Sequence, residues 1–399
     1  MSIANTIISP LAVALCLCLA TPALAAETQD EGPVSAELGG RIHWDFARFD
    51  NDDRGTPNRN DTQFRRVWLD VAGRFYGFEY KAEVDLAGLQ DEPGSAGIVA
   101  RDVFVARKFK AGTLTVGQFK QYFSLDDRVS SNTGPFLERS GGASTLHPNY
   151  RKGVSWQAGL PHGSWQASAY SLKTIDSSAT RGFGVGGRAT WLALDQGSTV
   201  RHFGLSLARE RSDHPGVRDS DPLVVRPGPA NDLAVNSRLV LARFDADRDT
   251  DVDKWALEYG EVHGPVSWQA EYIGARLDDG AQRADIDSGY GLISWFVTGE
   301  SRYYDRKGGR FGRLQHINNK SGAFELALRY DRIGGQQHPD GLADTLDASM
   351  QAVTLGANWY FKPNLRLMFD VIDSRNRDHL TATTLDHTLA YTGRFQYDF

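Results

Sequence analysis

Arg65 and Arg66 set two guanidinium groups side by side in the stretch Phe64-Arg65-Arg66-Val67-Trp68-Leu69. A guanidinium is planar, stays charged, and offers a fork of N–H donors that matches two oxygens of a phosphate or carboxylate. The chemistry within reach is recognition of an oxyanion, with no bond made or broken. By strand alternation Arg66 shares a face with Asp70 and Arg74, opposite Val67, Leu69, Val71 and Phe75. The polar face must border water, so Arg66 is a candidate anion contact. Arg65 joins it only if the strand bulges there. Lys81, Lys108 and Arg329 fall on or near inferred polar faces and are further candidates. Their alternative role is ordinary charge balance against Glu79, Asp102 and Asp331.

The second chemical stretch is 121–150, QYFSLDDRVSSNTGPFLERSGGASTLHPNY. It carries hydroxyls (Ser130, Ser131, Thr133), both signs of charge (Asp126, Asp127, Arg128, Glu138, Arg139) and apolar anchors (Phe123, Leu125, Phe136, Leu137). Loops this long are functional or disordered, and the anchors point to a packed, inward-folded loop. Other chemistries find less support. DADRDTDVD, at 245–253, offers alternating carboxylates but lacks the glycine and terminal glutamate of a calcium loop. The histidines form no His-x-x-x-His pair and there is no Gly-x-Ser-x-Gly. No metal or cofactor is implied.

The elements that must position these groups are strands. The last, 386–399, alternates apolar residues (Leu389, Tyr391, Phe395, Tyr397, Phe399) with polar ones (Thr388, Thr392, Arg394, Gln396, Asp398). Phe78, Tyr80, Ala82 and Val84 oppose Glu79, Lys81, Glu83 and Asp85; Phe324, Leu326, Leu328 and Tyr330 oppose Glu325, Arg329 and Asp331. Sixteen such runs can be marked between 35–49 and 386–399, separated by alternately short and long connections. The short ones include Tyr76-Gly77 and Gly264-Pro265. The long ones include 121–150, 211–251, 278–288, 334–347 and 376–385. An even number of alternating strands with this loop asymmetry predicts an all-β fold, a 16-stranded antiparallel transmembrane β-barrel. Its long third loop is expected to fold inward. Residues 301–321 break the pattern, being too long for a turn on the short-turn side.

Composition agrees. The chain has 9 Trp, 14 Tyr and 20 Phe, yet its net charge is −6 and no basic block exists. Nucleic acid is therefore not an expected partner. Residues 1–25 read as a cleaved signal peptide, with the apolar core Leu11–Ala20 and the Ala23-Leu24-Ala25 run. That leaves 26–399 as a single barrel domain. Both cysteines, Cys16 and Cys18, lie in the removed segment, so the mature chain has no thiol chemistry. Export without cysteine fits a bacterial envelope.

The paired-arginine stretch followed by Phe78-Glu79-Tyr80-Lys81 resembles the phosphate-selective porins O and P. So do VGQFKQYFSL at 116–125, FLERS at 136–140, GPVSWQAEY at 264–272 and WFVTGESRYYDRKGGRFGR at 295–313. ELALRYDR at 325–332 and NWYFKPNLRLM at 358–368 complete an ordered set over most of the mature chain. The resemblance implies a homotrimeric porin of the Gram-negative outer membrane, bedded in its lipid. Small inorganic anions, including phosphate and polyphosphate, would pass through it by diffusion. It also implies that Ser130 and Ser131 match the family's serine pair and Arg226 one of its arginines. Where a selectivity lysine would stand, Asp127 and Arg128 stand instead. Two other readings stay open: a barrel enzyme such as a lipase or protease, and a structural or adhesive barrel with a plugged lumen.

Overall fold

The computed structural model describes residues 34–90, 97–176, 181–213, 223–245 and 248–399. The signal segment expected at 1–25 lies outside them. The strands are β1 (Ser35–Asn51), β2 (Asp61–Phe75), β3 (Phe78–Asp85), β4 (Val99–Phe109) and β5 (Gly112–Lys120). There follow β6 (Tyr150–Leu160), β7 (Gly163–Ser171), β8 (Arg181–Gln196), β9 (Thr199–Asp213), β10 (Leu223–Val225) and β11 (Ala242–Phe244). Then come β12 (Thr250–His263), β13 (Val266–Asp278), β14 (Gln282–Phe296), β15 (Tyr304–Asp305) and β16 (Arg310–Phe311). The chain closes with β17 (Ala323–Pro339), β18 (Leu346–Lys362), β19 (Leu365–Asp378) and β20 (Thr383–Asp398). Sixteen of these form one closed antiparallel barrel. The hairpins β10–β11 and β15–β16 stand apart from its wall.

Alternation in the sequence is alternation of exposure. In β17, Glu325, Ala327, Arg329 and Asp331 are buried, while Phe324, Leu326, Leu328 and Tyr330 are exposed. A charged interior with an apolar exterior reverses the order of a soluble protein. It suits lipid, where an outward Arg or Lys at mid-depth would cost about 2–4 kcal/mol. Closure also pairs every strand edge, which lipid requires.

The closing seam joins β1 to β20. Asp45 stands opposite Arg394 in the register, and their side chains meet in a two-pronged ion pair of 2.6 and 2.7 Å. Phe399 extends the seam by exchanging backbone hydrogen bonds with Gly40, 3.1 Å each way. Its ring covers Gly40, where a Cβ would come within 2.7 Å of it. Phe399, Phe395 and Tyr391 all face outward.

One end of the barrel is made of tight turns. Tyr76 and Gly77 join β2 to β3 with φ of 48° and 76°, the two-residue turn that matches strand twist. The other end departs from expectation in three places. The long loops expected at 278–288, 334–347 and 376–385 shrink to 279–281, 340–345 and 379–382, because the flanking strands run on as hairpins. Their charged extensions pair across the ladder, as in Arg276–Asp285 at 2.8 Å and Arg283–Asp278 at 2.9 Å. A reading that ends a strand where apolar residues give out misses such extensions.

The connection at 301–321 is long, as read. Its hairpin reaches the polar face of the wall. The Tyr304 hydroxyl lies 2.6 Å from His202 Nδ1, and Arg188 donates to the carbonyls of Gly308 and Gly309. Tyr304 and Phe311 pack with Leu125, Val129, Leu192, Val200 and Val262 in one buried cluster. The connection therefore touches the 121–149 segment as well as the wall.

Candidate anion site

The site starts with an irregularity in the ladder. β1 and β2 stay in register from Ser35–Arg74 to His43–Arg66, and then Trp44 pairs with Phe64. Arg65 is the extra residue. A bulge of this kind re-aims a side chain, and here both arginines reach the same carboxylate. Arg66 Nη1 and Nη2 donate to Glu138 Oε1 and Oε2 at 2.9 Å each. Arg65 Nε donates to Oε1 at 3.1 Å. Arg394 Nη2 donates to the same oxygen at 2.7 Å.

Three guanidiniums thus converge on one side chain of the 121–149 segment. Burial would raise the Glu138 carboxyl, but Arg65, Arg66 and Arg394 override it and hold it well below the ordinary carboxylate range. The cations are balanced one for one. Asp45 holds Arg394, and Asp232 approaches Arg65 at 3.5 Å. Arg329 stands beside the cluster. Its Nη1 donates to the Glu138 carbonyl at 3.0 Å, its plane lies 4.5 Å over the Phe136 ring, and Asp331 is 3.3 Å away.

The 121–149 segment is tied to the polar face of many strands. Glu271 of β13 accepts from the backbone N–H groups of Leu125 at 2.6 Å and Asp126 at 2.8 Å, and from Ser124 Oγ at 3.2 Å. Those donors open the helical turn Leu125–Arg128, which Ser124 caps, so the carboxylate satisfies groups the turn cannot. Asp370 of β19 accepts from the Leu137 N–H at 2.9 Å. Arg366 donates to the carbonyls of Gly134 and Ser131, and Gln396 to that of Asn132. Inside the segment Asp127 is buried between Lys120 Nζ (2.6 Å), Arg139 and His147 (3.9 Å each). Burial pushes the His147 imidazole down to about 4, with Asp127 opposing and Lys120, Arg139 and Lys254 reinforcing.

The residues singled out from sequence are distributed as follows. Arg65, Arg66, Arg329, Ser130 and Ser131 come together. Arg66, Arg329, both serines, Glu138 and Arg139 border one small cleft. Ser131 Oγ accepts from Arg41 at 3.3 Å, and Ser130 Oγ from the Asn132 N–H. Arg128 spends its donors on the carbonyls of Lys120 and Gln121 and covers the Tyr122 ring. Lys81 is bound to Glu83 at 2.5 Å and faces Asp102 at 3.9 Å. Lys108, exposed on β4, and Arg226, exposed after β10, lie outside the cluster. The acidic run at 245–253 is engaged by arginines: Asp249 meets Arg211 at 2.9 Å, and Asp251 meets Arg209 at 3.6 Å. Among the described residues no three His, Asp or Glu side chains are placed to hold a metal ion.

Sequence reading passed over Arg394, Arg366 and Asp45. The signal for all three was available, since each occupies an inward position of an alternating strand.

Comparison with known proteins follows the same lines. Porin O of Pseudomonas aeruginosa is 26% identical over 393 residues, covering 92% of this chain and 88% of that protein. The anion-selective porin from Comamonas acidovorans shares the fold with a TM-score of 0.55 at 13% identity, over 92% of this chain and all of that one. The trimer form of OmpT, an outer-membrane protein of Vibrio cholerae, gives a TM-score of 0.55 at 13% identity, also over 92% of this chain and all of that one. The family described as phosphate-selective porin O and P matches residues 36–399. With that match across the whole barrel, the chain belongs to the phosphate-selective porin O and P family and is a channel protein of the Gram-negative outer membrane.

Proposed function

We propose that the chain, freed of residues 1–25, forms a water-filled channel for passive diffusion of small hydrophilic solutes with a preference for inorganic anions. Phosphate and polyphosphate-type anions are the leading permeants. One observation carries this reading: Arg65, Arg66, Arg394 and Arg329 converge where the 121–149 segment meets the wall. In this reading that segment is the constriction, and permeants pass beside its arginine-bound edge. Because carboxylates balance these arginines, the attraction on an anion is local, exerted by guanidinium N–H groups within a low-dielectric wall rather than by a net positive field. Glu138, Asp45 and Asp232 offset the arginines, which favours fast release over tight binding, as a channel needs. No chemical step is part of the function. A homotrimer is the assembly we favour, by analogy with the trimeric OmpT.

Planar-bilayer recordings test the reading. In a salt gradient the reversal potential should show anions as the more permeant species with chloride, phosphate and pyrophosphate in turn. Cation selectivity with all three would defeat it. A second reading has its own support, because β10–β11 and the 301–321 connection also pack against the polar face. A plugged barrel would give no conductance steps.

A further inference from the structure

The backbone of residues 131–138 turns its carbonyls outward to the wall. Arg366 donates to the carbonyls of Ser131 (3.2 Å) and Gly134 (2.8 Å), Gln396 to that of Asn132 (3.1 Å), and Asn358 to that of Pro135 (2.8 Å). Arg394 donates to the carbonyl of Leu137 at 2.5 Å and Arg329 to that of Glu138 at 3.0 Å. Arg302, from the 301–321 connection, donates to the carbonyl of Thr133 at 2.8 Å. Only the carbonyl of Phe136 escapes this row of side-chain donors.

A trans peptide is planar, and its C=O and the following N–H point in opposite directions. The peptides here are trans. Wherever the wall holds a carbonyl, the next N–H is therefore aimed away from the donor. The N–H of Phe136 points away from Asn358, that of Glu138 away from Arg394, and that of Arg139 away from Arg329. Among the described residues none of these three N–H groups has a hydrogen-bond acceptor, whereas the Leu137 and Ser140 N–H groups find theirs in Asp370 and Asp126. Phe136, Glu138 and Arg139 all border the cleft that also takes in Arg66, Ser130 and Ser131. Asp126 borders it too, with one carboxylate oxygen spent on Ser140. A backbone edge with its carbonyls turned away presents the positive ends of its peptide dipoles, an arrangement that attracts anions. Unlike the arginines, these donors have no carboxylate partner. Their directions are fixed, which favours a ligand with several acceptor oxygens over a halide.

We infer that the main-chain N–H groups of Phe136, Glu138 and Arg139 are specificity-determining contacts of the channel, taking oxygens of a passing tetrahedral oxyanion and so distinguishing it from chloride. Asn358 is then a positioning residue. Its side-chain amide holds the peptide between Pro135 and Phe136 in the required orientation without itself touching the anion. The inference rests on the anion-channel reading and assigns the discrimination between anions to the backbone, leaving the preference for anions over cations to the arginines.

The test replaces Phe136 by phenyllactic acid in the full barrel, introduced with a suppressor tRNA. The ring is kept and only the N–H is exchanged for an ester oxygen. In planar bilayers the phosphate concentration that half-blocks the chloride current should rise about tenfold, the worth of one hydrogen bond to a charged group. The chloride-over-potassium permeability ratio should stay as it was, because no charge has changed. Asn358→Leu removes a neutral donor and should move the phosphate block in the same direction, with Asn358→Gln recovering part of it. Should the ester-bearing chain not insert, Asn358→Leu carries the decision. A phosphate block that stays put in these variants would overturn the inference and leave the anion reading standing. So would a chloride-over-potassium ratio that falls in step with the block, the mark of a segment merely loosened. An unaltered protein that prefers anions yet is not blocked by phosphate would also overturn the inference alone. One that prefers cations would take the anion reading down with it.

Discussion

Arg66 and Glu138 face each other in a parallel, two-pronged pair, each N–H···O contact 2.9 Å long. The pair joins the wall to the 121–149 segment. It also sets the charge of the candidate site, because Glu138 is the carboxylate shared by Arg65, Arg66 and Arg394.

Arg66→Ala removes one positive charge and leaves Glu138 and its fellow carboxylates in excess. The anion-over-cation permeability ratio should fall. Two unit charges 4 Å apart interact by about 1 kcal/mol in water, which sets the scale at roughly fivefold in the ratio. Reversal potentials in a potassium chloride gradient read this directly. An unchanged potential would remove Arg66 from the set of anion contacts.

Glu138→Gln should act in the opposite direction. It keeps the shape of the side chain but leaves one guanidinium charge uncompensated, so anion preference rises and phosphate blocks chloride current at lower concentration. The variant should also be less stable by about 3–5 kcal/mol, the usual cost of stripping one partner from a buried ion pair. Combining it with Arg66→Ala removes both partners of the pair, so the stability lost in the double variant should be well below the sum of the two single losses, and the double-mutant cycle measures that coupling. Stability losses that simply add would mean that the two residues do not interact.

The wall was legible because alternation is a local property. Most of the sixteen strands carry their own inside and outside, so Phe324–Asp331 or Phe78–Asp85 could be placed without knowledge of any partner, whereas the run at 290–297, apolar on both faces, could not. The bulge at Arg65 was not legible. It depends on how β1 and β2 pair, and only the register shift at His43 and Trp44 reveals which arginine is the extra one. The partners of the 121–149 segment were hidden for the same reason. Glu138 is 256 residues from Arg394, and nothing in the spacing of FLERS announces that contact. The long hairpins beyond β13, β17 and β19 were missed because their stability lies in cross-strand ion pairs rather than an apolar face.

Acid should loosen the 121–149 segment through His147. Burial holds this imidazole at about 4 in the fold, below its ordinary 6.5. The unfolded chain therefore binds the extra proton first. Its contribution is complete above pH 6.5, declines as pH falls toward 4, and levels off below that, each unit being worth about 1.4 kcal/mol at most. Glu138 adds slope of the same sign only at the acid end of that window, where the unfolded carboxyl begins to take up a proton near its ordinary 4.5 while the folded one, held well below it, does not. Protease cleavage within 121–149 should rise between pH 6.5 and 4, and His147→Gln should flatten that rise. An equally steep profile in the variant would place the sensitivity elsewhere.

Glu271→Ala is the sharpest test of how the segment is held. The carboxylate is buried and accepts from Leu125 N–H, Asp126 N–H, Ser124 Oγ and the Tyr290 hydroxyl, the last at 2.7 Å. Removing it strands two backbone donors at the start of a helical turn, with no water-facing escape for Leu125 and Ser124, which are fully buried. Each buried donor left without a partner costs about 1–3 kcal/mol, enough to release this end of the segment. Asp370 still holds the far end at Leu137, so the segment should swing rather than leave. The proposed constriction should then widen, giving a larger and noisier single-channel conductance with weaker ion discrimination. Glu271→Gln, which keeps one acceptor oxygen, should fall between the two. If conductance and noise stay as in the unaltered protein while the segment becomes protease-sensitive, the segment is not what narrows the pore.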